Sequence, residues 1–103
     1  MRSEVYFGLS KPDGSRVSDG QWEAFLNEEI TPRFPAGLSV VDSAGQWRNA
    51  SGKVEREPSK LLVLIHPPQR SVETQIDEIR RAYCQRFSQE AVMKVTTSAK
   101  VAF

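Results

Sequence analysis

The sequence predicts an α+β fold whose strands and helices follow the order β-α-β-β-α-β. Three observations support this: apolar residues recur at helical spacing in two segments, β-branched segments surround them, and turn residues mark most boundaries. The chain has 103 residues, a common length for one domain, and no linker-like stretch divides it. We therefore expect one α+β domain that spans residues 1–103.

The first strand and the first helix have clear sequence signals. Residues 4–10 are rich in β-branched and aromatic side chains, and a cluster of turn residues follows them. Ser18 and Gln21 form a capping-box pattern, so the first helix is predicted to begin near Asp19. It should end before Pro32, because proline lacks the donor that the helix needs to continue.

A long hairpin is predicted next. The second strand covers residues 38–48, interrupted by a bulge or bend at 43–45, and residues 49–52 connect it to the third strand. The third strand begins with a polar, alternating part at 54–56. Its later part at 60–65 is apolar on both faces, which is typical of a central strand.

The second helix is predicted over residues 72–88 with Ser71 as its N-cap, and the last strand covers 91–95 and 101–103 with an irregularity near Thr97. Right-handed crossovers then place strands one and three in the middle of a four-stranded antiparallel sheet. Both helices lie on one face of it. This is the ferredoxin-like arrangement.

Composition excludes several classes of function. The net charge of +1 is far from the basic excess of nucleic-acid-binding proteins, and no segment is long and apolar enough to span a membrane. The lone cysteine, Cys84, forms no internal disulfide, and with His66 as the lone histidine no usual zinc cluster can form. We expect no metal and no cofactor. Cys84 is interpreted as a half-buried inert thiol, and His66 as a residue that caps a strand end.

The third strand carries the main candidate for chemistry. Alternation puts Glu55, Glu57 and Ser59 on one side of it. Cross-strand ion pairing on a solvated hairpin is the simpler interpretation. However, Glu57 lies where the polar hairpin enters the apolar core, and a partly buried carboxylate there is suited to general acid or base catalysis.

Other polar and aromatic residues are predicted around the same hairpin. Tyr6 supplies a candidate catalytic hydroxyl beside Glu57. For substrate binding, Trp47 is a candidate wall of a small pocket, and Arg48 or Arg33 is a candidate clamp for an anionic substrate. Ser59 completes this candidate substrate-binding group. Ordinary core packing is the favoured alternative for Trp47 and Tyr6, because these residue types are commonly buried.

Four segments give the chain a family resemblance: Tyr6–Ser10, Thr31–Leu38, Gly45–Arg48 and Arg56–Lys60. On these segments the chain resembles the small bacterial proteins grouped as domain-of-unknown-function family 3574, over nearly its whole length. The resemblance implies no activity. It does imply that related chains are often preceded by an export signal, so this chain is either a trimmed exported (periplasmic) protein or a cytoplasmic one. The polar start at Met1–Glu4 contains no signal-like apolar region.

Two hypotheses of function follow. The first is a small-molecule site, in its catalytic form a cofactor-independent enzyme that uses Glu57 as acid or base. The second is a non-catalytic module whose uncovered sheet face docks onto another protein or onto itself. Alternation within Leu61–Ile65 leaves apolar side chains on that face, so a homodimer is predicted.

Overall fold

The predicted α+β architecture is confirmed by a computed structural model that describes residues 1–103. Its strands are β1 (Arg2–Gly8), β2 (Ser39–Arg48), β3 (Val54–Ile65) and β4 (Met93–Thr97), and its helices are α1 (Asp19–Phe25) and α2 (Arg70–Phe87). The sheet is antiparallel in the order β2-β3-β1-β4, so β1 and β3 are central as predicted. No helix in it has the length and apolar character of a membrane-crossing segment.

The hydrophobic core lies between the two helices and one face of the sheet. On that face Val5 pairs with Leu62, and Ser3 pairs with Leu64. An aromatic cluster fills the middle, with the rings of Phe7 and Tyr83 4.8 Å apart. The other core residues are Val17, Trp22, Phe25, Ile30, Ile76, Ile79, Phe87 and Val92. Alternation along β1 and β3 therefore buries one side of each strand and leaves the other side free for a site.

The helix ends differ from the prediction in two places. The capping box of Ser18 and Gln21 is present, but the helical path continues past α1 as a π turn and then a 3-10 turn over Thr31–Arg33. Pro32 fits there because it stands at the start of a new turn, where no backbone donor is needed. The predicted cap of α2 is wrong: its N-cap is Gln69, without a side-chain hydrogen bond.

The strands also differ from the prediction. No bulge interrupts β2, whose register with β3 is unbroken from Ser39 to Arg48. β3 is one strand of 12 residues that includes Pro58. Pro58 has no backbone N–H to donate, and this is tolerated because the last pair between β1 and β3 is Gly8 with Ser59, the residue next to Pro58. The carbonyl oxygen of Pro58 accepts a hydrogen bond from the N–H of Leu9, which follows β1. The predicted final strand at 101–103 does not form, since β4 ends at Thr97.

A buried polar group closes the end of the sheet where β1 begins. His66 follows β3, and its Nε2 lies 2.7 Å from Oγ of Ser3. The Ser3 hydroxyl also lies 2.8 Å from Oγ1 of Thr96 on β4. Nδ1 of His66 is 2.8 Å from the Pro67 carbonyl oxygen, which can only accept, so Nδ1 carries the proton of that bond. These contacts join β1, β3 and β4, in agreement with a strand-end role for His66.

Candidate ligand-binding cleft

The cleft lies on the sheet face that the helices leave uncovered, here called the open face. Residues directly opposite in an antiparallel pair share a face, and three such pairs meet here: Gly8 with Ser59, Gly45 with Glu57, and Tyr6 with Met93. Three candidate residues, Tyr6, Glu57 and Ser59, are therefore brought together from two central strands.

These residues line an inner cavity of about 310 Å3. Its walls include Tyr6, Glu57, Ser59, Gln89 and Met93. Glu57 is the one charged side chain among its lining residues, while the others offer hydroxyl, amide and thioether groups. The inner cavity is thus a polar site with a single negative charge.

Glu57 is held against the backbone of β1. A Cβ placed on Gly8 would lie 2.6 Å from Oε1 of Glu57, so the carboxylate occupies the space that any other side chain at position 8 would fill. Oε2 accepts a hydrogen bond of 3.3 Å from the N–H of Ser10. Oε1 has no hydrogen-bond partner within the chain, and Glu57 takes part in none of the ion pairs. The half-buried carboxylate is therefore held over Gly8 by one hydrogen bond and keeps a free oxygen.

Tyr83 supports the same point of β1 from the core side. Its hydroxyl donates to the carbonyl oxygen of Gly8 at 2.7 Å. Burial raises the pKa of the Tyr83 phenol well above its usual range, and the nearby Glu57 carboxylate raises it further. Gly8 thus lies between a buried phenol on one side and the Glu57 carboxylate on the other.

A short polar row orients Tyr6. Its hydroxyl donates to Oε2 of Glu4 at 2.7 Å, and Oε1 of Glu4 lies 3.5 Å from Nε of Arg2. The hydrogen bond to Glu4 is the main reason that the pKa of Tyr6 is raised. Tyr6 is therefore a neutral phenol whose proton is already donated, so it offers an acceptor lone pair to the cleft.

An outer cavity of about 400 Å3 adjoins the inner one. Trp47 lines it together with Lys11, Pro12 and Glu90, and Glu57 is shared between the two cavities. The core packing favoured for Trp47 and Tyr6 is wrong. Trp47 is 51% exposed, and Tyr6 is half-buried on the open face.

The structure does not bring the two candidate arginines to this cleft. Arg33 follows α1 and forms ion pairs with Glu29 and Glu78. Arg48 is next to Trp47 along β2 and pairs with Val54, so alternation turns its side chain to the opposite face of the hairpin. Neither arginine lines the inner or the outer cavity.

Sequence reasoning missed several residues of the cleft. Gly8 carried a usable signal, because an isolated glycine inside a strand often marks a close approach to the backbone. No sequence signal pointed to Gln89 or Met93, because these residues reach the cleft only through the way the chain folds back after α2. No group of three or more His, Cys, Asp or Glu side chains gathers anywhere in the structure to bind a metal ion.

Fold and site together define an α+β sandwich with a polar cleft on its uncovered sheet face. The chain belongs to the family described as "Protein of unknown function (DUF3574)", whose profile matches residues 2–103. This agrees with the resemblance noted in the sequence. No curated protein matches the chain.

Two solved structures of a phage SAM lyase are similar in fold. The one in complex with S-methyl-5'-thioadenosine superposes with a TM-score of 0.64 at 19% identity, covering 90% of this chain and 76% of that chain. The one in the apo state has a TM-score of 0.65 at 17% identity, covering 90% and 75%. At such identity the similarity establishes the fold alone.

Proposed function

We propose that this protein binds a small molecule in the cleft, and that the ligand presents a positive charge or hydrogen-bond donors to Glu57. The observation that carries the proposal is the Glu57 carboxylate itself. It is half-buried, held over Gly8, and has a free oxygen with no cationic partner in the chain. A charge-assisted hydrogen bond is among the strong ones, so a ligand that brings a donor or a cation to this free oxygen gains binding energy.

Acceptors outnumber donors around the inner cavity. Oε1 of Glu57 and the lone pair of Tyr6 are acceptors, since Tyr6 already donates to Glu4. The amide nitrogen of Gln89 donates to the carbonyls of Ser10 and Phe87, which leaves its carbonyl oxygen as a third acceptor. The Ser59 hydroxyl is the free side-chain donor. A donor-rich or cationic ligand therefore fits, and an anion held by Arg33 or Arg48 forms no part of the proposal.

The fold neighbour suggests which compounds to test. S-methyl-5'-thioadenosine is the ligand of the phage SAM lyase structure, and it has hydrogen-bond donors and a thioether. S-adenosylmethionine (SAM) adds a sulfonium, an ammonium and a carboxylate group, and its two cationic groups match a site with three acceptors, one of which is the Glu57 carboxylate. We therefore propose ligands of this nucleoside-thioether and sulfonium class.

In the catalytic form of this proposal, Glu57 is the acid or base that transfers a proton. It is the one carboxylate that lines the inner cavity, and its free Oε1 is available to a bound ligand. Tyr6 has a raised pKa because of its bond to Glu4, so its role is to position and accept rather than to act as a base.

Isothermal titration calorimetry with SAM and S-methyl-5'-thioadenosine tests the proposal. Glu57→Gln keeps the shape but removes the charge, and it should weaken SAM binding by about 10-fold or more, as expected for a charged hydrogen bond. Glu55→Gln is the matched control, because Glu55 lies on the same face of β3 but pairs with Asn49 outside the cleft. Absence of binding by the unaltered chain, or equal affinities for both variants, would contradict the proposal.

A second candidate function is docking of the open face onto another copy of this chain. Val41, Ile65 and Met93 on this face are 49%, 50% and 57% exposed. Between them β1 carries Arg2 and Glu4 in alternate positions. Two such faces stacked about a twofold axis that passes between Arg2 and Glu4 would place each Arg2 opposite the Glu4 of the other copy, which is the charge pattern a self-complementary interface needs.

Sedimentation equilibrium over a dilution series tests this docking. The mass should exceed that of one 11.6 kDa chain, and Val41→Lys should return it to one chain. Val54→Lys is the matched control, because Val54 is 45% exposed but lies on the opposite face of the hairpin. A single-chain mass at every concentration would contradict self-association. Leu62 is unsuitable for this test, since it is fully buried against the helices, whereas Leu61 lies on the open face.

A further inference from the structure

The outer cavity contains an aromatic surface that the fold does not use. The chain has two tryptophans, and they differ sharply: Trp22 is 2% exposed in the core, while Trp47 is 51% exposed at the cleft. Trp47 stands opposite Glu55 across the hairpin, so Glu57 is its diagonal neighbour on the same face. Diagonal neighbours of this kind are within reach of an aromatic side chain.

The other wall of the outer cavity is held in place. Lys11 follows β1, and its Nζ lies 5.7 Å from the centre of the Phe87 ring. Pro12 is beside it in the same wall. The outer cavity is therefore an open depression, bordered by the Trp47 indole on one strand and by the loop of Lys11 and Pro12 on the other side.

The two cavities share the charge of Glu57, and the outer one adds Lys11 and Glu90, one charge of each sign. Because these two added charges cancel, the net charge of each cavity is the single negative charge of Glu57. The part of the outer cavity away from Glu57 has no net charge and suits a neutral group with polar edges. The inner cavity suits a donor or a cation. Glu57, Gln89 and Ala91 line both cavities, so one molecule can occupy the two together.

We infer that the ligand has two parts: a neutral planar heteroaromatic ring that stacks on Trp47, and a donor-bearing or cationic group that reaches Glu57. This inference rests on the proposed function and adds how the ligand is held: its ring by Trp47 in the outer cavity and its polar group by Glu57 in the inner one. A planar ring can stack on the exposed indole and remove both aromatic faces from water. Such stacking contributes to binding with any of the bases, so it does not by itself select one ring. Nucleosides with a 5'-substituent have this two-part form.

Tryptophan fluorescence of the full chain tests the inference, with SAM and S-methyl-5'-thioadenosine as probes. Acrylamide reaches Trp47 but not the buried Trp22, so the accessible fraction reports on Trp47. Saturating ligand should protect that fraction from quenching. Trp47→Leu should weaken binding by about 10-fold, which is within the range for loss of one stacked ring, while Trp47→Phe should keep most of the affinity. Val54→Ala, on the opposite face of the hairpin, should bind like the unaltered chain.

The outcomes separate the two proposals. One set of results would overturn the two-part ligand and leave the proposed function intact. In it, the affinity depends on Glu57, Trp47→Leu binds as tightly as the unaltered chain, and the ligand does not protect Trp47 of the unaltered chain from acrylamide. Binding of neither probe to the unaltered chain would overturn both. In Trp47→Leu and Trp47→Phe the remaining tryptophan, Trp22, reports whether the core is folded, and in the other variants the fraction that acrylamide does not quench reports it. A loss of affinity through unfolding is thereby recognised.

Discussion

Gly8→Ala should separate ligand binding from stability. The added Cβ would lie 2.6 Å from Oε1 and 3.0 Å from Cδ of Glu57. To restore an ordinary contact of 3.4 Å, the carboxylate must move by at least about 0.8 Å, which the flexible glutamate side chain can do. Gly8 has no positive φ, so its backbone accepts alanine without strain.

The stability of Gly8→Ala should change by no more than about 1 kcal/mol. Alanine in a strand gains roughly 0.5–1 kcal/mol over glycine, and loss of the bond from Ser10 to Glu57 costs about as much. Affinity for SAM should fall about 10-fold, because a charged hydrogen bond contributes about 1.5–3 kcal/mol and the displaced carboxylate keeps only part of it.

Urea unfolding and calorimetry measure these two quantities. Gly20→Ala is the control: Gly20 lies in α1 outside both cavities, and its Cβ would meet only Oγ of Ser18, at 4.0 Å. It should bind SAM like the unaltered chain. Normal binding by Gly8→Ala, or equal losses in both variants, would refute the role given to the close approach of Glu57.

Three further predictions concern the scaffold. Tyr83→Phe should lower the free energy of unfolding by about 1–2 kcal/mol in urea, because the Gly8 carbonyl loses its buried donor; an unchanged midpoint would contradict this. Ser3→Ala should cost about 1–3 kcal/mol in the same assay, since it strips a hydrogen bond from both His66 and Thr96. Burial of Tyr83 and the Glu4 bond of Tyr6 raise the pKa values of both tyrosines, so tyrosinate absorbance should be weak in the folded chain at pH 10.0 and grow on unfolding. Because folding favours the protonated phenols, stability should fall as the pH rises above the unfolded pKa near 10.0.

The strand order could be predicted from local patterns. The capping box of Ser18 and Gln21 marked the start of α1, and the run at 60–65 marked a central strand. Two boundary errors have physical causes. Gly45 suggested a bulge, but this glycine continues the ladder opposite Glu57. Pro32 suggested an end to the helical path, but it begins a new turn.

Part of the cleft could also be predicted. Glu57 and Ser59 share a face by alternation, and the register then adds Tyr6 from the neighbouring strand. The same parity applied to β2 separates Trp47 from Arg48, since adjacent strand residues face opposite ways. Arg33 depended on tertiary structure, because Glu78 on α2 is one of its two partners and lies far away in sequence.

The hairpin of β2 and β3 extends past the end of β1, in a molecule that measures 45 × 27 × 23 Å. From Ser59 onward β3 has strands on both sides, but Val54–Glu57 pairs with β2 alone. A two-stranded ribbon is only marginally stable by itself. The cleft consequently has walls of unequal stiffness: Tyr6 and Ser59 belong to the stiff sheet, Trp47 stands on the compliant ribbon, and Glu57 lies at the junction. We therefore expect an occupant to adjust the width of the cleft by displacing the ribbon while the sheet stays in place.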